Sequence, residues 1–303
     1  MDKLNKALVL WFNQGHEKYW LDYIFNQIFD TVLEFRDINQ LLDHDSDSPL
    51  FVVVNNPLQK RFERLLYAKR KFFLINLGDE FIPTKQDHSV YDNPFCLHVF
   101  RNYYRSSDNV ENVTAFPLGY GGNFNGGISA LEMRDKVFSA DRGYLWSFAG
   151  VSKKSSRMRT ISRFSSLHPH FFYSTSKWMA ENALSCFEYR DLLLNSFVVP
   201  APRGNCNLDC FRLYEALEAG CIPLIEKDSS IQSDQYFLNL LGSDCPILSL
   251  PDLRSPESVK FLKTIQADIS LRETIRIKII NWWAEYKRNM LESFKVVIKN
   301  YYE

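Results

Sequence analysis

PRGNCNLDCFRLYEALEAGCIPLIE, Pro202 to Glu226, holds in one run the ingredients of a loop, a helix and a strand. The apolar run before it, Ser196 to Val199 (SFVV), reads as a buried strand ending at Pro200. Gly204, Asn205 and Asn207 make a short polar loop, and Asp209 stands where an N-cap belongs. Leu213, Ala216, Leu217 and Gly220 then fall at helical spacing, predicting a helix from Phe211 to Ala219 with Gly220 as its C-cap. Cys221 to Ile225 (CIPLI) is the next buried strand. A strand–loop–helix–strand unit of this kind belongs to a parallel sheet.

In open parallel sheets ligands bind at the carboxyl ends of the strands. A helix start there offers unpaired amides and a partial positive charge, which favour a phosphate. Arg203 adds a fixed charge with fork geometry, and Glu215 is placed to accept bonds from a ribose diol. The residues alone also allow a plain unit with a solvated Arg and Glu.

Working outward, Ala7–Phe12, Leu50–Val54, Lys71–Leu77, Pro94–Arg101 and Asn112–Leu118 read as strands. Lys18–Phe35 and Leu58–Arg70 read as the helices between them. Asp79 and Glu80 stand at the carboxyl end of the Lys71–Leu77 strand, where a carboxylate in hydrogen-bond reach serves as a general base. Neighbouring strand residues face opposite ways, so one of the two is expected to act, Asp79 before Glu80. Arg101 and Asn102 border the same edge. Gly119–Gly127 (GYGGNFNGG) lacks a phosphate-loop pattern and reads as a mobile connection. Beyond it, Tyr144–Gly150, Phe171–Ser174 and Cys245–Leu250 read as strands. Ser152–Arg163 reads as a basic loop and helix, and Leu184–Leu194 and Pro256–Ile269 as helices. Leu271–Tyr302 is a long helix, with Trp282 and Trp283 expected to bury on the first domain.

Lys plus Arg balance Asp plus Glu at 36 each, which argues against a nucleic-acid field. Aromatics at 15% suit a large core. No run of eighteen apolar residues occurs, and the N-terminus reads as a core strand rather than a leader. The expectation is a cytoplasmic chain, or one trimmed of an anchor, with no transmembrane segment. The six cysteines have no zinc spacing and read as free thiols. Asp45-Ser46-Asp47 and the His168/His170 pair are discounted as metal sites.

Pro202, Arg203, Gly204, Arg212, Leu213, Glu215, Ala216, Leu217, Gly220, Cys221, Ile222 and Pro223 resemble the signature of exostosin-type glycosyltransferases. LGDEF (Leu77–Phe81), VFRNYY (Val99–Tyr104) and FPLGY (Phe116–Tyr120) resemble the ribitol xylosyltransferase branch. The resemblance implies an α/β chain of two Rossmann-like domains facing a cleft, the GT-B architecture. Residues 1–125 would form the acceptor-side domain, 140–268 the nucleotide-sugar domain, and 269–303 a helix returning to the first domain. It implies an inverting transfer, best guessed as xylose from UDP-xylose, to a hydroxyl of a glycan or polyol. Asp79 or Glu80 would be the base, with no metal or other cofactor. Arg157 and Arg203 would hold the diphosphate and Glu215 the ribose, with Arg101, Gly204, Asn205, Asp209 and Arg212 also lining the substrates. The rival readings are another UDP-sugar on the same scaffold, or a non-catalytic glycan- or nucleotide-binding module.

Overall fold

The computed structural model describes residues 3–12, 15–44, 47–55, 62–78, 89–103, 111–153, 157–229, 232 and 235–302. Asp79 and Glu80 lie outside the described residues, as do Asp45 and Ser46. The chain divides into two units: Met1–Leu118 with Lys287–Glu303, and Gly119–Tyr286.

In the first unit β1 (Leu4–Trp11), β2 (Phe29–Phe35), β3 (Leu50–Val54), β4 (Phe72–Asn76), β5 (Cys96–Arg101) and β6 (Val113–Ala115) form one sheet, ordered β2-β1-β3-β4-β5-β6. Every pairing is parallel. β3 and β4 are buried at every residue, as continuous apolar runs covered on both faces should be. The aromatic surplus goes here: Phe51 lies 5.1 Å from Phe73, and Phe100 stacks on Phe294 at 4.0 Å. Phe294 belongs to the last helix, whose residues Tyr301 and Tyr302 also reach Phe73.

The expected helix Lys18–Phe35 is two elements, α1 (Lys18–Ile28) and strand β2. Val32 and Leu33 fit a helical stripe, but Thr31 and Val32 are β-branched and Phe29 and Phe35 aromatic, types that suit a pleated surface. Pairing with β1 from Leu4–Phe29 to Leu10–Phe35 decides it. α2 (Ile38–Leu42) and α3 (Glu63–Tyr67) complete this part; of the expected helix Leu58–Arg70, residues 58–61 lie outside the described residues.

The second unit holds a four-stranded sheet, β10-β9-β7-β8, again all parallel. Its strands are β7 (Tyr144–Val151), β8 (His170–Thr175), β9 (Ser196–Ala201) and β10 (Ile222–Ile225). Its helices are α4 (Ala130–Phe138), α5 (Arg157–Ser162), α6 (Cys186–Leu194), α7 (Phe211–Glu218), α8 (Gln235–Leu241) and α9 (Pro256–Ala267). α10 (Ile269–Tyr302) contributes its first half to this unit and its last residues to the other. α6 starts at a reciprocal capping box, Ser185 with Glu188. The expected strand Cys245–Leu250 is a 3-10 turn over Pro246–Ser249, because Pro246 supplies no N–H to a ladder. The Trp pair packs within this unit: Trp283 donates to Glu218 Oε1 at 2.9 Å and its ring lies 5.8 Å from Tyr214. Gly119–Gly127 is docked rather than loose, since Arg190 donates to the Gly126 carbonyl at 2.6 Å.

Candidate functional site

β8 continues from β7 on one side, and β9 returns to pair with β7 on the other. The connections leaving β7 and β9 therefore diverge, which makes the carboxyl edge of this pair a topological switch point. The strands also part there. β7 and β9 are paired at Tyr144–Ser196 and Trp146–Val198, whereas β7 follows β8 to Val151 and β9 follows β10 to Ala201. Pro200 carries no N–H and so offers no donor at the parting.

Two arginines answer the carbonyls left open. Arg212, on the first turn of α7, donates to the Ala149 carbonyl at 3.0 Å and lies 4.4 Å over the Phe148 ring. Arg157, opening α5, donates to the Val151 carbonyl at 3.1 Å. Its other terminal nitrogen reaches across to the carbonyls of Arg203 at 2.5 Å and Gly204 at 3.2 Å. Gly150 sits beneath, at φ 133°, where a Cβ would stand 2.7 Å from Arg212 Nη2, so only glycine fits.

The loop from Pro202 to Cys210 is held from below. The side chain of Gln232 receives the Leu208 N–H at 2.6 Å and donates to Asn207 Oδ1 at 3.0 Å. Asp209, read as the N-cap and a substrate ligand, is buried and accepts from the Tyr236 hydroxyl at 3.3 Å. The chain stays extended for one further residue, so Cys210 takes the N-cap position and no side chain caps α7. The Leu213 N–H instead bonds the Cys210 carbonyl at 3.1 Å, and the loop carrying Arg203 leads into this helix start.

Arg203 is part-exposed, with Nε 3.8 Å from Glu226 Oε2; Arg254 Nε stands 3.9 Å from the same oxygen. Glu226 is enclosed at the carboxyl end of β10, and burial raises its pKa against the pull of both guanidiniums. Burial, and then the charge of Arg212, lower Arg157 to about 10. Arg212 and Arg203 thus both oppose the charge of Arg157, a setting that favours an anion. Arg157 Nε and Arg212 Nε are buried without a hydrogen-bond partner.

Glu215 lies one turn beyond Arg212 on α7 and is buried. Its Oε1 accepts the Gly121 N–H at 3.2 Å. Burial raises its pKa to about 7, with Arg212 and then the Gly121 amide pulling the other way. Asn205 is half-buried in the loop before it.

In the first unit Arg101 is fully enclosed, donating to the Asn102 carbonyl at 3.3 Å and towards the Tyr91 hydroxyl at 3.5 Å. Asn76 ties this edge together, giving its amide to Tyr91 at 2.6 Å and receiving the Gly78 N–H at 2.9 Å. Sequence reasoning thus brought Arg157, Arg203, Gly204, Arg212 and Glu215 to one edge. It missed Gln232, Tyr236 and Glu226. Only Glu226 carried a signal, as the carboxylate ending a buried strand. All six cysteines are free. Among the described residues no group of three or more His, Cys, Asp or Glu side chains gathers that could hold a metal, and no helix is long and apolar enough to cross a membrane.

Ribitol-5-phosphate xylosyltransferase 1 of Danio rerio is 23% identical to this chain over 221 residues, 69% of the chain and 47% of the relative. The chain therefore spans about half the length of that protein. Among solved structures, the crystal structure of an alpha1,3-fucosyltransferase aligns over 96% of this chain and 91% of its own, with a TM-score of 0.48 and 12% identity. The profile of the RXYLT1 C-terminal domain matches residues 127–302, from the segment before α4 to the end of α10, and the chain belongs to that family.

Proposed function

We propose that this chain is a glycosyltransferase that moves a sugar from a nucleoside diphosphate sugar to a hydroxyl of a glycan or polyol, with inversion. UDP-xylose is the donor we favour, because the zebrafish relative is named a xylosyltransferase. The observation that carries the reading is the carboxyl edge of β7 and β9, where part-exposed Arg203 stands in the loop that opens α7, beside Arg157. A leaving diphosphate gathers charge as its bond to the anomeric carbon breaks, and fixed donors at that point stabilise it. Arg157 holds the Arg203–Gly204 loop, and Arg212 ties the start of α7 to the end of β7. Glu215 is the group assigned to the ribose diol. The acceptor oxygen forms the new bond to the anomeric carbon, and its proton passes to a carboxylate, Asp79 or Glu80. No divalent ion is part of this scheme.

Calorimetric titration with UDP, with and without EDTA, tests it on the wild type and on Arg203→Ala. Binding should survive EDTA and weaken roughly tenfold or more in the variant, as expected for losing a charge-assisted contact to phosphate. Failure of the wild type to bind UDP would sink the UDP assignment. Hydrolysis across a panel of UDP-sugars then identifies the donor.

A further inference from the structure

The turn that follows β8 carries an aromatic that nothing above uses. Trp178 is 55% exposed and Met179 beside it 68% exposed, although this unit has buried apolar positions in plenty. The turn is firmly built. Ala180 is buried, its carbonyl receives the Ala183 N–H at 2.8 Å, and the Tyr173 hydroxyl donates to the Asn182 carbonyl at 2.7 Å. Met179 holds φ 53°, a left-handed conformation uncommon for a residue with a side chain. Backbone strain at a fixed turn tip is a feature that gathers at functional sites.

Trp178 is turned toward the site. β8 runs parallel to β7 and β9, so the turn after it emerges at the same carboxyl edge as the Arg203 loop. There the Trp178 ring faces Phe211, the first residue of α7, at 6.4 Å and 25°. Phe211 lies one turn before Glu215, and both approach the Gly121 backbone: a Cβ there would stand 3.3 Å from the Phe211 ring and 3.4 Å from Glu215 Oε1. This edge thus brings together a charged loop, a carboxylate and a nearly parallel ring pair, of which Trp178 is exposed and Phe211 half-buried. Phosphate, diol and base are the parts of a nucleoside diphosphate that such groups take.

We infer that Trp178 and Phe211 form a stacking platform for the nucleobase of the donor. The inference rests on the proposed nucleotide-sugar reading and extends it to the base. Stacking on an aromatic face tolerates any base, so the platform supplies affinity, and choice among bases falls to other groups.

The test is titration of residues 1–303 with UDP, GDP and inorganic pyrophosphate, read by calorimetry and by tryptophan fluorescence. The wild type is compared with Trp178→Ala and Trp178→Phe. Removing the ring should weaken binding of each nucleoside diphosphate roughly tenfold, leave pyrophosphate binding unchanged and abolish the quenching of fluorescence on binding. Trp178→Phe should restore most of the affinity. A thermal melt guards against misfolding, and the exposed position should leave Tm within a degree or two. Unchanged nucleotide affinity in Trp178→Ala overturns the platform while leaving the nucleotide site standing. The same result with a raised KM for a glycan acceptor also overturns it and gives the ring to the acceptor. No nucleotide binding by the wild type overturns the platform and the proposed function together.

Discussion

The two ends of the second sheet both carry buried arginines, yet they treat them differently. At the amino end Arg142 gives Nη1 to the carbonyls of Leu193 and Ser196, and Nη2 to those of Val137 and Ala219. Arg276 beside it donates to the Val137, Gly220 and Phe138 carbonyls and pairs with Glu273 at 2.7 Å. All but the Ser196 carbonyl, which opens β9, belong to the ends of α4, α6 and α7, groups that a helix leaves without partners. Arg142 and Arg276 are each answered on every nitrogen, while Arg272, over the Phe197 ring, is the exception at this end. At the carboxyl end Arg157 and Arg212 hold backbone too, but each keeps a buried Nε without a partner, and Arg203 is part-exposed beside them. The same residue type thus seals one end of the sheet and at the other keeps guanidinium nitrogens open. A ligand that stabilises the folded chain is expected at the second end.

Arg142→Leu should have the largest effect. It takes the guanidinium donor from the buried Ser196 and Ala219 carbonyls, whereas Val137 keeps Arg276 and Leu193 keeps the Cys221 thiol, and losing such a set is expected to cost about 4 kcal/mol. The melting temperature should fall by on the order of 10 °C, while UDP affinity of the folded fraction stays unchanged. A fall of under 2 °C in a differential scan would mean that water replaces the guanidinium, and the amino end would lose its distinct role. Arg157→Met should come next, costing about 2 kcal/mol in stability and also weakening UDP binding several-fold, because the Arg203–Gly204 loop loses its tether. Lost stability with unchanged affinity would make the two ends alike and remove the contrast.

How much of this was legible in sequence follows from which interactions are local. β9, α7 and β10 could be read because their apolar spacing, their length and Gly220 all agree. Arg203, Gly204 and Glu215 came with them, since their position relative to the strand end follows from the chain itself. The strand β2 could not be read so, because Phe29–Phe35 suits either period and only its pairing with β1 settles the matter. The cap of α7 was misplaced by one residue, because Asp209 has a better partner in Tyr236, twenty-seven positions away. Arg142 and Gln232 were invisible for the same reason. Their partners are carbonyls and amides of distant segments, and a backbone carbonyl leaves no mark in a sequence.

The smallest effect should be the most specific to the carboxyl end. Glu215 is raised from 4.5 to about 7, first by burial, so in the free protein it gains its charge only as pH climbs through neutrality. The sign for stability follows: the fold opposes ionisation, so Glu215 detracts progressively from stability as pH rises from about 4.5 to about 7. Binding runs the other way. A carboxylate accepts two diol hydrogen bonds better than a carboxylic acid does, so UDP affinity should rise between pH 6 and 8, by about threefold to tenfold. The phosphate's own titration contributes to any such slope, and Glu215→Gln separates the two. The glutamine keeps the shape and the acceptor oxygen but cannot ionise, so the variant should retain only the slope due to phosphate. Affinities measured by calorimetry across that range, for both proteins, give the difference directly. Parallel profiles would take Glu215 off the ribose and leave it as an anchor for Gly121, a structural role like those of the arginines at the opposite end.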